Sequence, residues 1–243
     1  MQIDSLVLRM RTRAPLDAAD LGVRLCQANA RAVYACYAVI AAPTFALALA
    51  LYEVADWLPL LALSFAKPWL DRTILFVLSR AAFGQGTTLR DLWRAQREVL
   101  WRQLPLTWTW RRLSPWRSFT QPVYQLEGLG FLKRRARLKL IRRNAAGPAL
   151  LVTSAFSIAE MALAVAVASL VLWLAPSGQT ERVFESLVSD GEAALPLAAS
   201  VAYALVILFL EPFYVAAGFA LYLNRRTELE AWDVEQELRR AFA

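Results

Sequence analysis

The chain has 243 residues, of which 58% are hydrophobic and 19% charged, with a net charge of +7 and a pI near 9.8. The apolar residues are gathered into long blocks, the pattern of a polytopic membrane protein and not of a mixed globular domain. No histidine is present, which removes the commonest general base and the commonest metal ligand. Cys26 and Cys36 read as small apolar fillers, not as a disulfide or metal site. The expectation is therefore no enzyme, no cofactor and no metal.

Residues 1–14 alternate apolar and basic side chains, as a short strand or extended arm would. Pro15-Leu16-Asp17 then opens an amphipathic stretch with helix-start chemistry. Two placements fit it: along the inner leaflet, or packed on the protein's own cytoplasmic loop. Together they form a cytoplasmic arm and interfacial helix over 1–31. The first transmembrane pair follows over 32–83. Span one is Ala32–Tyr52, and the acidic turn after it ends at Trp57, where an interfacial aromatic belongs. Span two, Leu58–Phe83, holds Lys67, Pro68, Asp71 and Arg72 well inside it. A charge at the bilayer centre costs about 2.5–3.5 kcal/mol on insertion scales, so these side chains are expected to face protein or water.

Residues 84–147 form a basic, Trp-rich loop with 14 Lys and Arg against three acids. Basic loops stay in the cytoplasm, so this one is placed inside and the acidic segment Ser177–Glu192 outside. Thr88-Leu89-Arg90-Asp91 resembles a capped helix start. Trp93, Trp101, Trp108, Trp110 and Trp116 alternate with arginines that include Arg111, Arg112 and Arg117. The run Lys133–Arg143 contributes Lys133, Arg134, Arg135 and Arg137. Indoles and guanidiniums suit the headgroup zone, so the loop is expected to meet anionic lipid or a protein partner. Nucleic acid uses the same residue types, but the flanking spans argue against it. Gly84-Gln85-Gly86-Thr87-Thr88 lacks the lysine and the preceding strand of a phosphate loop.

The second transmembrane pair occupies 148–226. Span three, Ala149–Ala175, carries Glu160 near its middle and Trp173 at its far end. A loop with a short helix over Glu181–Val188 leads to span four, Leu195–Arg226, which is interrupted only by Glu211–Pro212. The tail 227–243 is amphipathic and reads as a cytoplasmic helical continuation. Lys67-Pro68-Trp69-Leu70 aligns with Glu211-Pro212-Phe213-Tyr214, the mark of a two-fold internal repeat about the membrane normal. Each proline leaves a carbonyl four residues back without its helical donor. Lys67, Asp71, Arg72, Glu160 and Glu211 thus form a candidate intramembrane polar cluster, read either as an ion-pair network fixing register or as a polar pathway.

Two stretches, Leu113–Gly128 and Glu211–Glu235, together with Asp71-Arg72, Leu78-Ser79-Arg80 and Phe83-Gly84, resemble the amino-terminal membrane region of an uncharacterised Gram-negative inner-membrane family. Its genes lie near those for MoxR-type AAA ATPases and their von Willebrand-factor-like partners. The resemblance implies inner-membrane residence and a part in an envelope-maintenance assembly. It carries over no catalytic residues.

The expectation is an all-α membrane protein of four transmembrane helices, both termini cytoplasmic, in the bacterial inner membrane. A six-segment version, with spans two and four broken at proline, is the alternative. Its expected role is a scaffold or adaptor acting through the basic loop; the alternative is a transporter or channel subunit built on the buried charges. A cysteine at Gly130 should be labelled by an impermeant maleimide only in inverted vesicles, and one at Ser177 only in right-side-out vesicles. The opposite pattern would invert the topology.

Overall fold

The computed structural model describes residues 13–101, 114–173 and 194–230. Among these the fold is all-helical, with no strand. In chain order the α-helices are α1 (Pro15–Ala28), α2 (Ala30–Ala50), α3 (Leu58–Ala82), α4 (Leu89–Gln96), α5 (Arg117–Gln125), α6 (Phe131–Arg142), α7 (Ala146–Trp173) and α8 (Ala194–Glu230). The arm over 1–12, the expected helix Glu181–Val188 and the tail beyond Glu230 lie outside the described residues.

At 1.5 Å per residue, α8 is about 55 Å long, and the molecule is assembled around it. The pair α1–α2 runs antiparallel beside it, broken only at Asn29. Asn224 accepts from the Arg13 amide at 3.0 Å and donates to its carbonyl at 3.1 Å. Gly22 lies against Ala216, where an added Cβ would stand 2.7 Å from the carbonyl carbon. Further along, the Tyr34 and Tyr37 hydroxyls donate to the carbonyls of Phe209 and Ile207 at 2.8 and 3.4 Å. Those carbonyls flank that of Leu208, whose helical donor Pro212 removes. Both α3 and α8 continue through their prolines, so the six-segment alternative does not hold among the described residues.

Of the two placements open for the first amphipathic stretch, α1 takes neither: it packs on the long apolar helix α8 and not on the basic loop. Its small residues Ala18, Ala19, Gly22 and Cys26 are buried, and the partner is α8. Burial pushes the Cys26 thiol up to about 12, so it packs as a neutral group.

Among the described residues, three helices are long and apolar enough to cross a membrane: Ala30–Glu53, Ala146–Leu170 and Pro196–Glu230. They are compatible with a multi-pass membrane protein. The expected second span is not among them, because α3 holds Lys67, Asp71, Arg72 and Arg80. It is enclosed instead. From Ala66 onward nearly every side chain of α3 is buried against α2, α5 and α8. By contrast, α7 leaves Ile158, Met161, Val165 and Leu170 exposed along its length.

The expected surface loop also comes inside. In α5 every residue from Ser118 to Val123 is buried, and it reaches α8 at Gly218, where a Cβ would sit 2.6 Å from the Ser118 carbonyl carbon. α4 begins with a capping box: the Thr88 hydroxyl accepts from the Asp91 amide, and the Asp91 carboxylate accepts from the Thr88 amide at 3.0 Å. Those bonds from Thr88 hold the Asp91 carboxyl below its ordinary range. Its contribution is therefore present above the ordinary aspartate pKa and is lost as pH falls through the lowered folded value.

Gly218→Val should displace α5 and lower the thermal midpoint of the detergent-purified chain by several degrees. Gly130→Ala, at a position with nothing within 4 Å, should leave it within about 2 °C. Equal behaviour of the two would mean that α5 is not seated on α8.

Candidate functional site: a chain of alternating charges

Lys67 and Asp71 lie one turn apart on α3 and face the same way. Glu211 comes from α8, and Glu160 from α7. The Lys67 ammonium donates to both Glu160 oxygens at 2.7 Å and stands 3.0 Å from Glu211 Oε2. Glu211 Oε1 takes a very short bond from the Arg117 guanidinium of α5. Arg117 Nε in turn stands 2.9 Å from Asp71 Oδ2. That last contact is an ion pair whose geometry is not that of a hydrogen bond. The result is an alternating series of acidic and basic side chains, Glu160–Lys67–Glu211–Arg117–Asp71. Asp71 is 0% exposed and Glu211 3%.

Isolated charges in such a place would cost several kcal/mol each. Alternation keeps each cation between two carboxylates. Burial opposes the charge on Arg117, but Asp71 and Glu211 outweigh it and raise the guanidinium pKa above its ordinary value. Tyr214 braces the series. Its hydroxyl accepts from the Ser118 amide at 3.4 Å and lies 3.3 Å from Thr153 Oγ1. Its ring lies 5.2 Å from the Arg117 guanidinium carbon and 5.7 Å from the Phe156 ring.

Of the five residues assigned to this cluster from the sequence, Lys67, Asp71, Glu160 and Glu211 come together and Arg72 does not. Adjacent residues on a helix point about 100° apart, so Arg72 cannot share the face of Asp71. It turns toward the π-helical turn after α4, donating to the Glu98 carbonyl at 3.2 Å. Its own carbonyl accepts from Gln125 at 2.8 Å.

Arg117 corrects the expectation in the other direction. The sequence puts it on the headgroup-facing loop; in the structure it is the second cation of the buried series. Three carboxylates against Lys67 alone required another cation once Arg72 pointed away. Ser118, Phe119 and Val123 supplied a small and apolar stretch in an otherwise basic loop on which to carry one.

Other loop residues divide the same way. Arg137 pairs with Glu127 at 3.2 Å and with Glu230, which Arg226 also contacts at 2.9 Å. Tyr222 donates to Glu127 at 2.8 Å. This second network fastens α6 to the end of α8, so Arg137 is engaged within the protein and is not a free surface cation. Arg134, expected outside, is buried over Tyr124 at 5.3 Å, where its delocalised charge meets the ring face. Trp116 is half-buried: its indole N–H donates to the Ala146 carbonyl at 3.0 Å, and Arg142 lies over its ring. Trp93 and Trp101 are exposed, as are Lys133 and Arg135. Trp108, Trp110, Arg111 and Arg112 lie outside the described residues.

No protein-family model, curated protein or solved structure matches this chain. The family resemblance therefore rests on the quoted motifs alone. Among the described residues no group of His, Cys, Asp and Glu could hold a metal ion.

Arg117→Met should destabilise the protein by about 3–5 kcal/mol, because it strands Asp71 and leaves Glu211 to share Lys67 with Glu160. Adding Asp71→Leu should recover more than half of that loss. Thermal or denaturant unfolding in detergent gives the comparison. A double variant no better than the single would mean that Arg117 and Asp71 do not balance one another.

Proposed function

We propose that this protein is an integral membrane scaffold that holds a basic helical body against the inner leaflet, where it recruits anionic lipid and protein partners. It has four transmembrane helices, α3 serving as the sheltered one, and both termini lie in the cytoplasm of a bacterial inner membrane. The near-match between the two proline sites is consistent with a two-fold repeat whose halves have diverged around α5. The likeness to the inner-membrane family of the MoxR setting extends this to an envelope-maintenance assembly.

The observation that carries the proposal is the exposed face of α6. Phe131 and Leu132 are 65% and 78% exposed, and Lys133, Arg135, Lys139 and Arg143 are exposed beside them. Leu140 continues the apolar set. Only a few residues separate the end of α6 from the start of α7, so this face lies at the point where an apolar membrane-length helix begins. Mixed apolar and cationic side chains there match the acyl–headgroup boundary. The inward turn of Arg117, Arg134 and Arg137 separates the cations that build the fold from those left to meet a ligand.

Short-chain phosphatidylglycerol should bind the detergent-purified chain at least tenfold more tightly than short-chain phosphatidylcholine at about 0.1 M salt, and the difference should shrink at higher salt. Changing Lys133, Arg135, Lys139 and Arg143 together to Gln should remove the preference while leaving the thermal midpoint unchanged. A preference that survives those four substitutions would move the lipid-binding surface elsewhere.

A further inference from the structure

The acidic members of the buried series outnumber the basic ones. Glu160, Glu211 and Asp71 face Lys67 and Arg117, and full ionisation would leave one negative charge without a counter-ion. At such burial that charge is costly, and among the described residues the surrounding elements supply no third cation. On α3 itself, Arg72 turns away to the Glu98 carbonyl. From α2, Tyr37 stands near both Asp71 and Glu211, but its hydroxyl donates to the Ile207 carbonyl. From α8, Tyr203 lies beside Lys67, and α7 brings only Glu160. The charged side chains of α1 and of the π-helical turn after α4 are exposed.

The geometry shows where the missing positive charge belongs. Asp71 is 0% exposed, and neither of its oxygens accepts a hydrogen bond from an N–H or a hydroxyl. The Asp71 carboxyl is nevertheless within hydrogen-bonding reach of Glu211. Two ionised carboxylates are acceptors only and repel one another, whereas a carboxyl and a carboxylate join through one O–H. Glu211 meets Lys67 through Oε2 and Arg117 through Oε1, and each oxygen has a second lone pair to offer.

The site also has an entrance. Glu211 lies on the wall of a cavity of about 220 Å³ between α7, α8 and the segment leading into α5, and Asp71 does not reach that wall. One water needs roughly 10–15 Å³ of such space, so there is room for water against Glu211.

We infer that Asp71 and Glu211 form a binding site for a single proton, held between the carboxyls of α3 and α8 and exchanged with cavity water through Glu211. With the proton bound, the pair carries one negative charge, and the series holds two negative charges against Lys67 and Arg117. Its loss would set two buried carboxylates against each other beside Pro68 and Pro212. This site is separate from the α6 lipid surface and stands whether or not that surface binds anionic headgroups.

The test is infrared spectroscopy of the full-length chain in detergent at pH 7, reading the C=O stretch that only a protonated carboxyl gives. The wild-type protein should show one such band, shifted on transfer to D2O without unfolding. Asp71→Asn should lose it while keeping the thermal midpoint within about 2 °C, because the amide N–H donates to Glu211 where the proton did. Glu211→Gln should lose it too, since Asp71 is then the carboxylate that balances Arg117. A wild-type spectrum unchanged by Asp71→Asn would overturn the inference. So would a band that persists in Glu211→Gln, which would assign the proton to Asp71 alone, or one that resists D2O, which would close the cavity route. An Asp71→Asn midpoint lower by several degrees would show instead that Asp71 is ionised.

Discussion

An arginine from a loop helix, held between a carboxylate on α3 and one on α8, is the contact on which the arrangement depends. Remove Arg117 and Asp71 loses its ion-pair partner, while Glu211 keeps only the Lys67 it shares with Glu160. Keep it and α5 must lie within the bundle, since no surface position would bring its guanidinium to Asp71 and Glu211. The other features of the core accommodate that requirement. Gly218 allows α5 to approach, Tyr214 ties it to α8 and α7, and the small face of α1 closes the opposite side of α8. Interior charge is tolerated here because it is arranged as a series of opposite neighbours, not because any single pair is strong.

Electrostatics and composition explain why the four long helices among the described residues behave so differently. α7 is almost wholly apolar and has little to hide, so it stands at the edge with its side chains outward, attached through Glu160 and Thr153. α3 carries the densest charge of the four and is the best covered. α8 does both: Leu197, Val201, Leu205 and Phe209 are exposed in its first half, and burial becomes nearly continuous after Glu211. The transition falls at the Glu-Pro pair, so the position of the charge on α8 also marks where its lipid-like exposure gives way to protein.

Much of this was legible in the sequence. Long apolar blocks locate α2, α7 and α8. The Thr88…Asp91 spacing locates the start of α4, and proline next to a lone charge singles out the level at which α3 and α8 meet. Helical periodicity correctly pairs Lys67 with Asp71, and the same periodicity, applied to Arg72, would have excluded it. What composition could not convey was the burial of α5. A basic loop is read by its average, and the average of residues 84–147 hides a stretch, Ser118–Val123, that carries no charge. The division of α6 into inward and outward cations was likewise invisible, because it depends on which carboxylates and rings of distant helices stand opposite: Glu127 and Glu230 for Arg137, Tyr124 for Arg134.

The docking of α5 against α8 is best tested by proximity. With Cys26 and Cys36 replaced by alanine, cysteines at Ser118 and Val215 or Gly218 would be introduced and oxidised in native membranes. Rapid, near-complete cross-linking of one of these pairs, lost when Arg117 is changed to Met, is the result expected of a loop helix pinned inside the bundle by its charge. Cysteines that stay reduced while the one at Ser118 reacts freely with an impermeant maleimide would place α5 on the surface and remove the second cation from the series.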